Sequence, residues 1–410
     1  MAAIAIIGSG ISGLLCAYLL NREHEVTLFE SNDYLGGHTH THTVMVDSEP
    51  VKVDTGFIVY NDRSYPHFMQ LLAHLGCEGK PTEMSFSVKH PTANLEYNGH
   101  SLNSLFAQRR NLFRPGFYRM MWDILRFNKL ARNINASDPV TLGAYLEQHG
   151  FSAEFCRYYI LPMAAAIWSS GEDAVQHFPI RALAAFFANH GLLDLKNRPQ
   201  WYVVKGGSHT YVQAMLPDLG NYRLNSPVLS VRRDEKFVEI TSKAGAELFD
   251  EVVFANHSNQ ALSLLQDPTR AEQQVLSNIE YTLNKATLHT DATVLPSRAR
   301  AWASWNYYLS DSKPDKATLT YNMNILQGIR TKSPVLVTLN SNRIDAKKII
   351  AEYEYAHPHY NQATLDAQQR HAEISGLNRS HYCGAYWFDG FHEDGVRSAL
   401  RVCENFNVSL

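Results

Sequence analysis

The sequence predicts an α/β protein built on a parallel sheet, and three features near the N-terminus favour this fold class. Residues 3–7 form a short apolar run with three isoleucines, which is typical of a strand buried on both faces. A glycine-rich turn follows, and residues 14–21 form an apolar segment compatible with a helix. Residues 25–30 predict a second strand. This order of elements is that of a βαβ unit, the building block of doubly wound sheets.

The turn is a Gly-x-Gly-x-x-Gly pattern, Gly8-Ser9-Gly10-Ile11-Ser12-Gly13. Gly8 permits the tight turn, Gly10 lets the backbone approach a pyrophosphate, and Gly13 lets the helix pack closely on the strand. Glu30 closes the second strand 22 positions after Gly8, near the offset of about 20 expected for an acid that binds a ribose. The combination predicts a dinucleotide site with its phosphates at the helix N-terminus.

The composition excludes several other classes of protein. Hydrophobic residues make up 45% of the 410 residues, enough for a large core. The 37 Lys and Arg nearly balance the 40 Asp and Glu, which disfavours a protein that binds nucleic acid over its whole surface. The five cysteines are scattered without a Cys-x-x-Cys pair, which disfavours a disulfide scaffold or a zinc ribbon. With neither a secretory signal nor a long apolar span, we expect a cytoplasmic protein.

The residues after Glu30 carry a resemblance to a known family. Gly36 and Gly37 follow the ribose acid closely, and His38 and Thr39 come next. Here the sequence resembles the flavin-containing amine oxidase superfamily, which also holds protoporphyrinogen oxidases and phytoene-type desaturases. The resemblance implies a Rossmann-like domain in which these four residues pass the FAD. Most members have Arg where this chain has His38.

Three histidines, His38, His40 and His42, alternate in this segment, and on a strand they would share one face. Metal binding is one interpretation. We expect instead a histidine-rich loop beside the cofactor and no metal site, because no carboxylate or cysteine stands at ligand spacing.

Two later parts of the chain extend the resemblance. In the first, residues 200–260, the order of strands and helices in the family implies that Val228 lies against the adenine end of the cofactor. In the second, the C-terminal segment leads into a helix predicted over residues 397–403, and Glu393, Gly395 and Val396 match the family's ending. The backbone N–H groups near Gly395 and Val396 would face the flavin, where the positive end of a helix stabilises the reduced ring.

The resemblance therefore implies a discontinuous FAD-binding domain made of residues 1–60, 200–260 and 380–410. Residues 61–199 and 261–379 would form a substrate domain of mixed β-sheet and helices. We expect the FAD to be non-covalent, because Cys383 does not fall where monoamine oxidases attach their flavin.

Residues 98–137 form a basic segment with many interleaved aromatic and apolar side chains. Its acid is Asp123, and its basic residues are Arg109, Arg110, Arg114, Arg119, Arg126, Lys129 and Arg132. The pattern is typical of a helix that lies on an anionic membrane surface. The alternative is a helical lid with solvated arginines and aromatic side chains in the core.

Three candidate catalytic residues emerge. Lys285 matches the lysine that in amine oxidases reaches a water near flavin N5, although a solvated lysine at a strand end would look the same. His289 points the same way as Asp291 on a strand, either as an acid/base pair or as a structural pair. Phe391 matches the family's aromatic-cage position, and its hydrocarbon ring suits an apolar chain at least as well as an amine.

The Gly-Gly-His-Thr-His segment and the Gly-Phe-His-Glu-Asp-Gly ending resemble a bacterial branch associated with cyclopropane, methylated and furan-containing fatty acids. This resemblance implies an FAD-dependent oxidoreductase that dehydrogenates or isomerises an unsaturated or methylated fatty acyl chain. A hydride would pass to flavin N5, and oxygen or a quinone would reoxidise the flavin. The alternatives are a flavin amine oxidase and a flavin- or lipid-binding protein without turnover.

Overall fold

The structure, a computed structural model, describes residues 1–134, 140–311 and 315–410. Residues 135–137 of the predicted basic segment lie outside this range. The strands, in chain order, are β1 (Ala3–Ile7), β2 (Glu25–Phe29), β3 (Thr41–Val46), β4 (Glu49–Asp54), β5 (Tyr60–Asn61), β6 (Gly79–Thr82), β7 (Phe86–His90), β8 (Leu95–Asn98), β9 (Trp201–Val204), β10 (Asn221–Arg223), β11 (Val228–Arg233), β12 (Val238–Ser242), β13 (Gly245–Phe249), β14 (Glu251–Phe254), β15 (Tyr281–His289), β16 (Trp305–Tyr308), β17 (Leu319–Asn322), β18 (Leu336–Leu339), β19 (Ile349–Pro358) and β20 (Ser380–Tyr382).

The α-helices are α1 (Ile11–Leu20), α2 (Pro66–His74), α3 (Leu102–Leu105), α4 (Pro115–Ala131), α5 (Leu142–Gln148), α6 (Ala153–Phe155), α7 (Leu161–Trp168), α8 (Glu172–Gln176), α9 (Ile180–Asn189), α10 (His209–Met215), α11 (Ser258–Leu264), α12 (Arg270–Ser277), α13 (Met323–Leu326), α14 (Gln362–Gln369) and α15 (His392–Glu404). A π-helical turn, Cys156–Ile160, joins α6 to α7. No helix among the described residues is both long enough and apolar enough to cross a membrane.

A five-stranded parallel sheet confirms the predicted α/β fold class. Its order is β10-β2-β1-β14-β20, and every neighbouring pair is parallel. Strands from residues 1–60, 200–260 and 380–410 therefore meet in one sheet. The short edge strand β10 is not predicted from the sequence, because three polar residues carry no apolar signal.

The helix α1 is buried along its whole length beside this sheet, because it is apolar on all sides. It packs with α2 and α15 in one core that includes Leu14, Phe68 and Val396. The Ser12 hydroxyl donates a hydrogen bond to the Gly395 carbonyl oxygen at 2.8 Å, which ties the start of α1 to α15.

A second large sheet has seven strands, and three small sheets, β11-β12-β13, β3-β4 and β5-β9-β6, accompany the two large ones. The order of the seven strands is β19-β15-β18-β17-β16-β7-β8, antiparallel except where β16 pairs with β7. The helices α4 to α9 pack on one side of it through a core rich in aromatic residues, including Phe117, Phe155 and Phe187. The space between this unit and the carboxyl ends of the parallel strands holds the site described next.

Candidate active site

A continuous cavity of about 790 Å³ runs from the first glycine-rich turn into the aromatic core beneath the helices. At one end its wall is formed by Gly8, Ser9, Gly10, Ile11, Ser12 and Glu30. At the other end apolar and aromatic side chains dominate, among them Tyr97, Tyr159, Met163, Ile167, Trp168, Phe186, Trp201, Trp305 and Tyr321. A cofactor and a second molecule can therefore occupy one space in contact with each other.

The glycines of the turn have a backbone geometry compatible with the predicted roles. Gly8 has φ of +100°, a conformation that favours glycine. A Cβ at Gly10 would meet nothing within 4 Å, so its Cα faces open cavity. A Cβ at Gly13 would collide with the Gly8 carbonyl oxygen, which shows how closely α1 approaches the end of β1.

Glu30 lies at the carboxyl end of β2, on the cavity wall. Its carboxylate accepts hydrogen bonds from the Ser9 backbone N–H at 2.9 Å and from the Ser9 hydroxyl at 2.5 Å. Its other oxygen accepts from the Asn32 backbone N–H and side-chain amide, each at 2.9 Å. These donors fix the carboxylate beside the turn, where an adjacent ribose would meet it.

Gly36, Gly37 and His38 also line the cavity. Gly37, with φ of +57°, approaches the Gly10 backbone closely. Beside them stand His257 and His357, and burial lowers the pKa of His38 to about 4 and the pKa values of the other two to about 3. This wall therefore presents neutral imidazoles.

The residues of this end fit a dinucleotide. The N-terminus of α1 and the bare Cα of Gly10 form a cradle that a larger residue would fill. Two buried polar atoms on the same wall, His38 Nε2 and Asn256 Oδ1, have no hydrogen-bond partner among the described residues. A bound nucleotide could satisfy both.

Several of the predicted cofactor residues do not line the cavity. They include Thr39, Val228, Glu393, Gly395 and Val396. Thr39 is buried behind the wall, with its hydroxyl 2.5 Å from the Tyr211 hydroxyl. Val228 packs on the core beside β12 and pairs with Ser242.

The C-terminal helix corrects the predicted geometry of the flavin end. It begins at His392 and not at residue 397, so Gly395 and Val396 lie inside its first turns. The Gly395 N–H already donates to the Phe391 carbonyl oxygen at 3.2 Å. Glu393 turns away and accepts hydrogen bonds from the backbone N–H groups of His67 and Phe68, at 3.1 and 2.9 Å, at the start of α2.

Two catalytic candidates, Lys285 and His289, are not among the residues that line the cavity, and their contacts favour the structural alternatives. Lys285 is half-exposed and forms an ion pair with Glu352 at 2.7 Å, because the alternation of β15 turns Asn284 inward instead. His289 is fully buried in the seven-stranded sheet, where its Nε2 lies 2.7 Å from the Thr338 hydroxyl. Its Nδ1 accepts the Asp291 backbone N–H at 3.0 Å, so no acid/base pair with that carboxylate forms.

The third candidate, Phe391, lies on the cavity wall as predicted. Its ring stacks on Phe186 with centroids 4.9 Å apart, and His190 lies 5.5 Å away. The next residue, His392, stacks on Phe57 at 3.7 Å, and its Nε2 lies 2.8 Å from the Tyr211 hydroxyl. The start of α15 therefore faces the cavity with two rings.

The histidines at positions 38, 40 and 42 do not share one strand face, because β3 begins only at Thr41. His40 stacks on Tyr34 with centroids 3.9 Å apart and contacts the ring of His42. Within the described parts of the chain, no three His, Cys, Asp or Glu side chains are arranged to hold a metal ion.

Several polar residues of the wall are not found from the sequence, among them Asn256, His257 and Asp389. Asn256 and His257 follow the end of β14 by two and three residues, and ligands in α/β sheets bind at the carboxyl ends of such strands. That rule alone could have found them. Asp389 lies between the last sheet strand and α15, and no local pattern distinguishes it from a surface acid.

The model of the family described as flavin containing amine oxidoreductase matches residues 11–328, most of the chain. The chain belongs to the flavin-containing amine oxidoreductase family. Membership in this family makes the protein an FAD-dependent enzyme, and the turn, Glu30 and the cavity are the parts that fit FAD.

Solved structures of similar fold bear different activities in their names. A CLA-producing fatty acid isomerase from P. acnes has a TM-score of 0.72 at 14% identity, covering 99% of this chain and 98% of that chain. Cyclohexylamine oxidase from Brevibacterium oxydans IH-35A has a TM-score of 0.71 at 14% identity, with 99% of each chain covered. A putrescine oxidase bound to putrescine has a TM-score of 0.68 at 16% identity, again covering 99% of each. No curated protein sequence matches the chain. At these identities the likeness shows the fold of this flavin-containing amine oxidoreductase family member and not its substrate.

Proposed function

We propose that this flavoenzyme dehydrogenates or isomerises an unsaturated or methylated fatty acyl chain. The observation that carries the proposal is the wall of the inner cavity, which is aromatic and aliphatic over most of its length. Among the described lining residues, the side chains with a formal charge, histidines aside, are Glu30, Arg198, Glu354 and Asp389. Glu30 belongs to the nucleotide end, so a long apolar ligand meets few charges to desolvate.

The two ends of the cavity would bind different molecules, the cofactor at one end and the acyl chain at the other. The turn from Gly8 to Ser12, with Glu30 and the loop around Gly37, would hold the nucleotide part of FAD. When bound, oxidised FAD supplies the hydride acceptor. The rings of Phe391, Phe186 and Trp168 would orient the acyl chain and exclude water from it.

We also propose that the chain forms the two domains predicted from the sequence. Residues 1–60, 200–260 and 380–410 would form the FAD-binding domain, and residues 61–199 and 261–379 the substrate domain.

A product analysis tests this proposal. The FAD-loaded protein is incubated aerobically with vesicles of an unsaturated phospholipid, and the released acyl chains are analysed by mass spectrometry. Dehydrogenation predicts acyl chains that have lost two hydrogens, and isomerisation predicts unchanged mass with moved double bonds. Acyl chains unchanged in mass and in double-bond position would overturn the proposal.

Asp389 gives a specific reason to keep amine oxidation as a second candidate. Its carboxylate lines the cavity two residues before Phe391, where it could pair with a cationic amine. Incubation with putrescine and with cyclohexylamine, followed by an assay for hydrogen peroxide, separates the two functions. Peroxide formed with amines and not with lipid would favour amine oxidation. If neither lipid nor amine is turned over, the third alternative stands, a flavin- or lipid-binding protein without catalysis.

We further propose that α4 and the turn before it rest on an anionic membrane. Five apolar side chains there are exposed, and we call them the α4 patch: Leu112 (41%), Phe113 (86%), Tyr118 (45%), Trp122 (69%) and Leu125 (46%). The acid of this segment, Asp123, is buried and accepts hydrogen bonds from Ser152, so it does not oppose an anionic surface. Arg119 and Lys129 are exposed on the same helix. Apolar side chains beside basic ones match a bilayer surface that carries negative charge.

Sedimentation with liposomes tests this contact. We expect the protein to sediment with phosphatidylglycerol vesicles, less so in high salt, and little with phosphatidylcholine alone. The double variant Phe113→Ser, Trp122→Ser should lose binding, whereas Leu248→Ser, at another exposed leucine, should keep it. Binding that ignores lipid charge, or a dimer in solution that the double variant disrupts, would contradict the proposal.

A further inference from the structure

We propose that Asp389 is the proton acceptor of the reaction, the group that removes a proton from the substrate as the hydride leaves. The inference rests on the proposed function, because it assigns a role within the same cavity. Asp389 takes the catalytic role considered for Lys285 and His289, which lie outside that cavity.

The position of Asp389 suits this role. It lies on the turn between the short 3-10 helix Ala385–Trp387 and α15, on the cavity wall. It is two residues from Phe391, the ring that faces the same space. Of the other acids on the wall, Glu30 is held by donors at the nucleotide end and Glu354 is exposed. Among the acids that the described wall contains, Asp389 is therefore the partly buried one that follows the sheet and precedes the ring of Phe391.

The surroundings of Asp389 leave its carboxylate free to exchange a proton. Among the described residues, no group donates a hydrogen bond to it, and the positive charge that acts on it is Arg397. The Arg397 guanidinium stacks over Phe388 at 4.0 Å and forms no ion pair with Asp389. Burial raises the pKa of Asp389, with Arg397 opposing the shift. A raised pKa favours the protonated form, which is the form the carboxyl group takes once it has accepted a proton.

A second polar group points to a ligand in the same place. Tyr360 is 6% exposed and lines the cavity, and its hydroxyl has no hydrogen-bond partner among the described residues. It abuts Gly390, the neighbour of Asp389, where a Cβ would collide with the hydroxyl. An unpaired buried hydroxyl is costly unless a ligand or water completes it.

The neighbouring groups define how the site titrates. On α15, Asp394 accepts the Phe391 N–H at 2.9 Å, and burial together with the Asp389 charge raises the pKa of Asp394 to about 8. Tyr360, with Tyr281 behind it, has a pKa raised by burial and by both carboxylates. Both shifts favour the protonated forms of Asp394 and Tyr360, and Arg397 is the cation that acts on Asp389. A proton lost by the substrate has Asp389 as its acceptor.

Desaturation breaks two C–H bonds on adjacent carbons and forms a carbon–carbon π bond. One hydrogen leaves as a proton and forms an O–H bond with the Asp389 carboxylate, leaving the electron pair for the π bond. The other hydrogen leaves as hydride, for which oxidised FAD is the acceptor that the family's chemistry supplies.

Kinetics of the FAD-loaded enzyme test the assignment. With unsaturated phosphatidylglycerol vesicles as the probe, Asp389→Asn should slow anaerobic flavin bleaching by about 10²- to 10⁴-fold, as for loss of a general base. The wild-type rate should rise with pH to a plateau, because only the ionised acid accepts a proton. Asp389→Glu should restore part of the rate and the pH dependence, and Glu352→Gln, outside the cavity, should match the wild type. A rate unchanged in Asp389→Asn, or a rise in KM with kcat unchanged, would overturn the proposal.

A labelling experiment keeps the inference testable if no lipid bleaches the flavin. Dicyclohexylcarbodiimide modifies protonated carboxyl groups in apolar surroundings. We expect it to label Asp389 of the FAD-loaded protein, as read by peptide mass spectrometry, more at acid than at alkaline pH. Oleate in the cavity should block the label. If Asp389 is unlabelled at every pH, the proposal fails, whereas labelling without any lipid turnover would count against the proposed substrate and leave the acid assigned.

Discussion

At the scale of single residues, chemistry in the first turn follows from sequence, but side-chain position elsewhere does not. The glycine pattern predicts its own roles because they depend on local backbone geometry alone. Lys285 illustrates the opposite case. A shift of one residue along β15 exchanges the cavity side for the solvent side, and a motif match cannot fix that register.

Gly10 and Gly13 should respond differently to the same substitution. Gly10→Ala adds a methyl group to open cavity, so it should fold normally and lose affinity for FAD. Gly13→Ala collides with the Gly8 carbonyl oxygen, so it should lower the free energy of unfolding by about 1–3 kcal/mol. Urea unfolding of the FAD-free proteins and FAD titration measure the two effects. Equal stability losses would contradict the assignment.

Lys285→Met should leave catalysis unchanged. The ammonium group lies in a half-exposed ion pair with Glu352, and such surface pairs contribute little to stability. The rate of flavin bleaching and the thermal midpoint should both match those of the wild type. A rate that falls by an order of magnitude or more would return this lysine to the active site.

At the scale of elements, the three central strands of the parallel sheet, β1, β2 and β14, are predictable because each contains a short apolar run between turns. The edge strands β10 and β20 are short and mainly polar, and no such run marks them. The start of α15 is not, since glycine at position 395 disfavours a helix interior. The structure tolerates this glycine because a Cβ there would press on Ile11, so the residue allows α15 and α1 to pack closely. The partner of Glu393 is 326 positions away in sequence, at the start of α2, and no local pattern reveals it.

Glu393 should therefore contribute to the stability of the folded protein and not to the binding of the flavin. Glu393→Ala removes the acceptor for two backbone N–H groups in the first turn of α2, at a cost of about 0.5–2 kcal/mol. The FAD content of the purified variant should equal that of the wild type. Chemical unfolding and the flavin absorbance per chain decide this. A normal stability with a lost or spectrally shifted flavin would contradict it.

At the scale of the whole molecule, the cavity joins elements that are distant in sequence. Strands and helices from both halves of the chain surround it, and the order of the seven-stranded sheet depends on long-range pairing that periodicity does not specify. The central strands of the parallel sheet and the glycine-rich turn that follows β1 were predictable. The aromatic end and Asp389 required the fold.

The buried histidines of the cavity should make stability depend on pH. The pKa values of His38, His257, His357 and His392 are lowered by burial to between about 3 and about 4, from an ordinary 6.5. The unfolded chain therefore binds more protons below pH 6.5, and these groups remove stability as the pH falls from about 6.5 towards 4. Well above pH 6.5 these histidines are neutral in both the folded and the unfolded chain, so the stability that is lost at lower pH is fully present there. His357→Asn should lose less stability than the wild type over this interval in urea unfolding, and the exposed control His74→Asn should behave as the wild type. Parallel curves for all three proteins would contradict the account.

If one cavity brings FAD and an apolar chain together, the anaerobic visible spectrum of the flavin should report the encounter. The FAD-loaded protein is recorded before and after addition of unsaturated phosphatidylglycerol vesicles, and separately of putrescine. We predict that the amine leaves the oxidised flavin band unchanged. Dehydrogenation of the lipid should bleach the band, whereas isomerisation should keep the band and move the double bonds of the lipid. A band bleached by the amine alone, or a chain that takes up no FAD, would contradict the account.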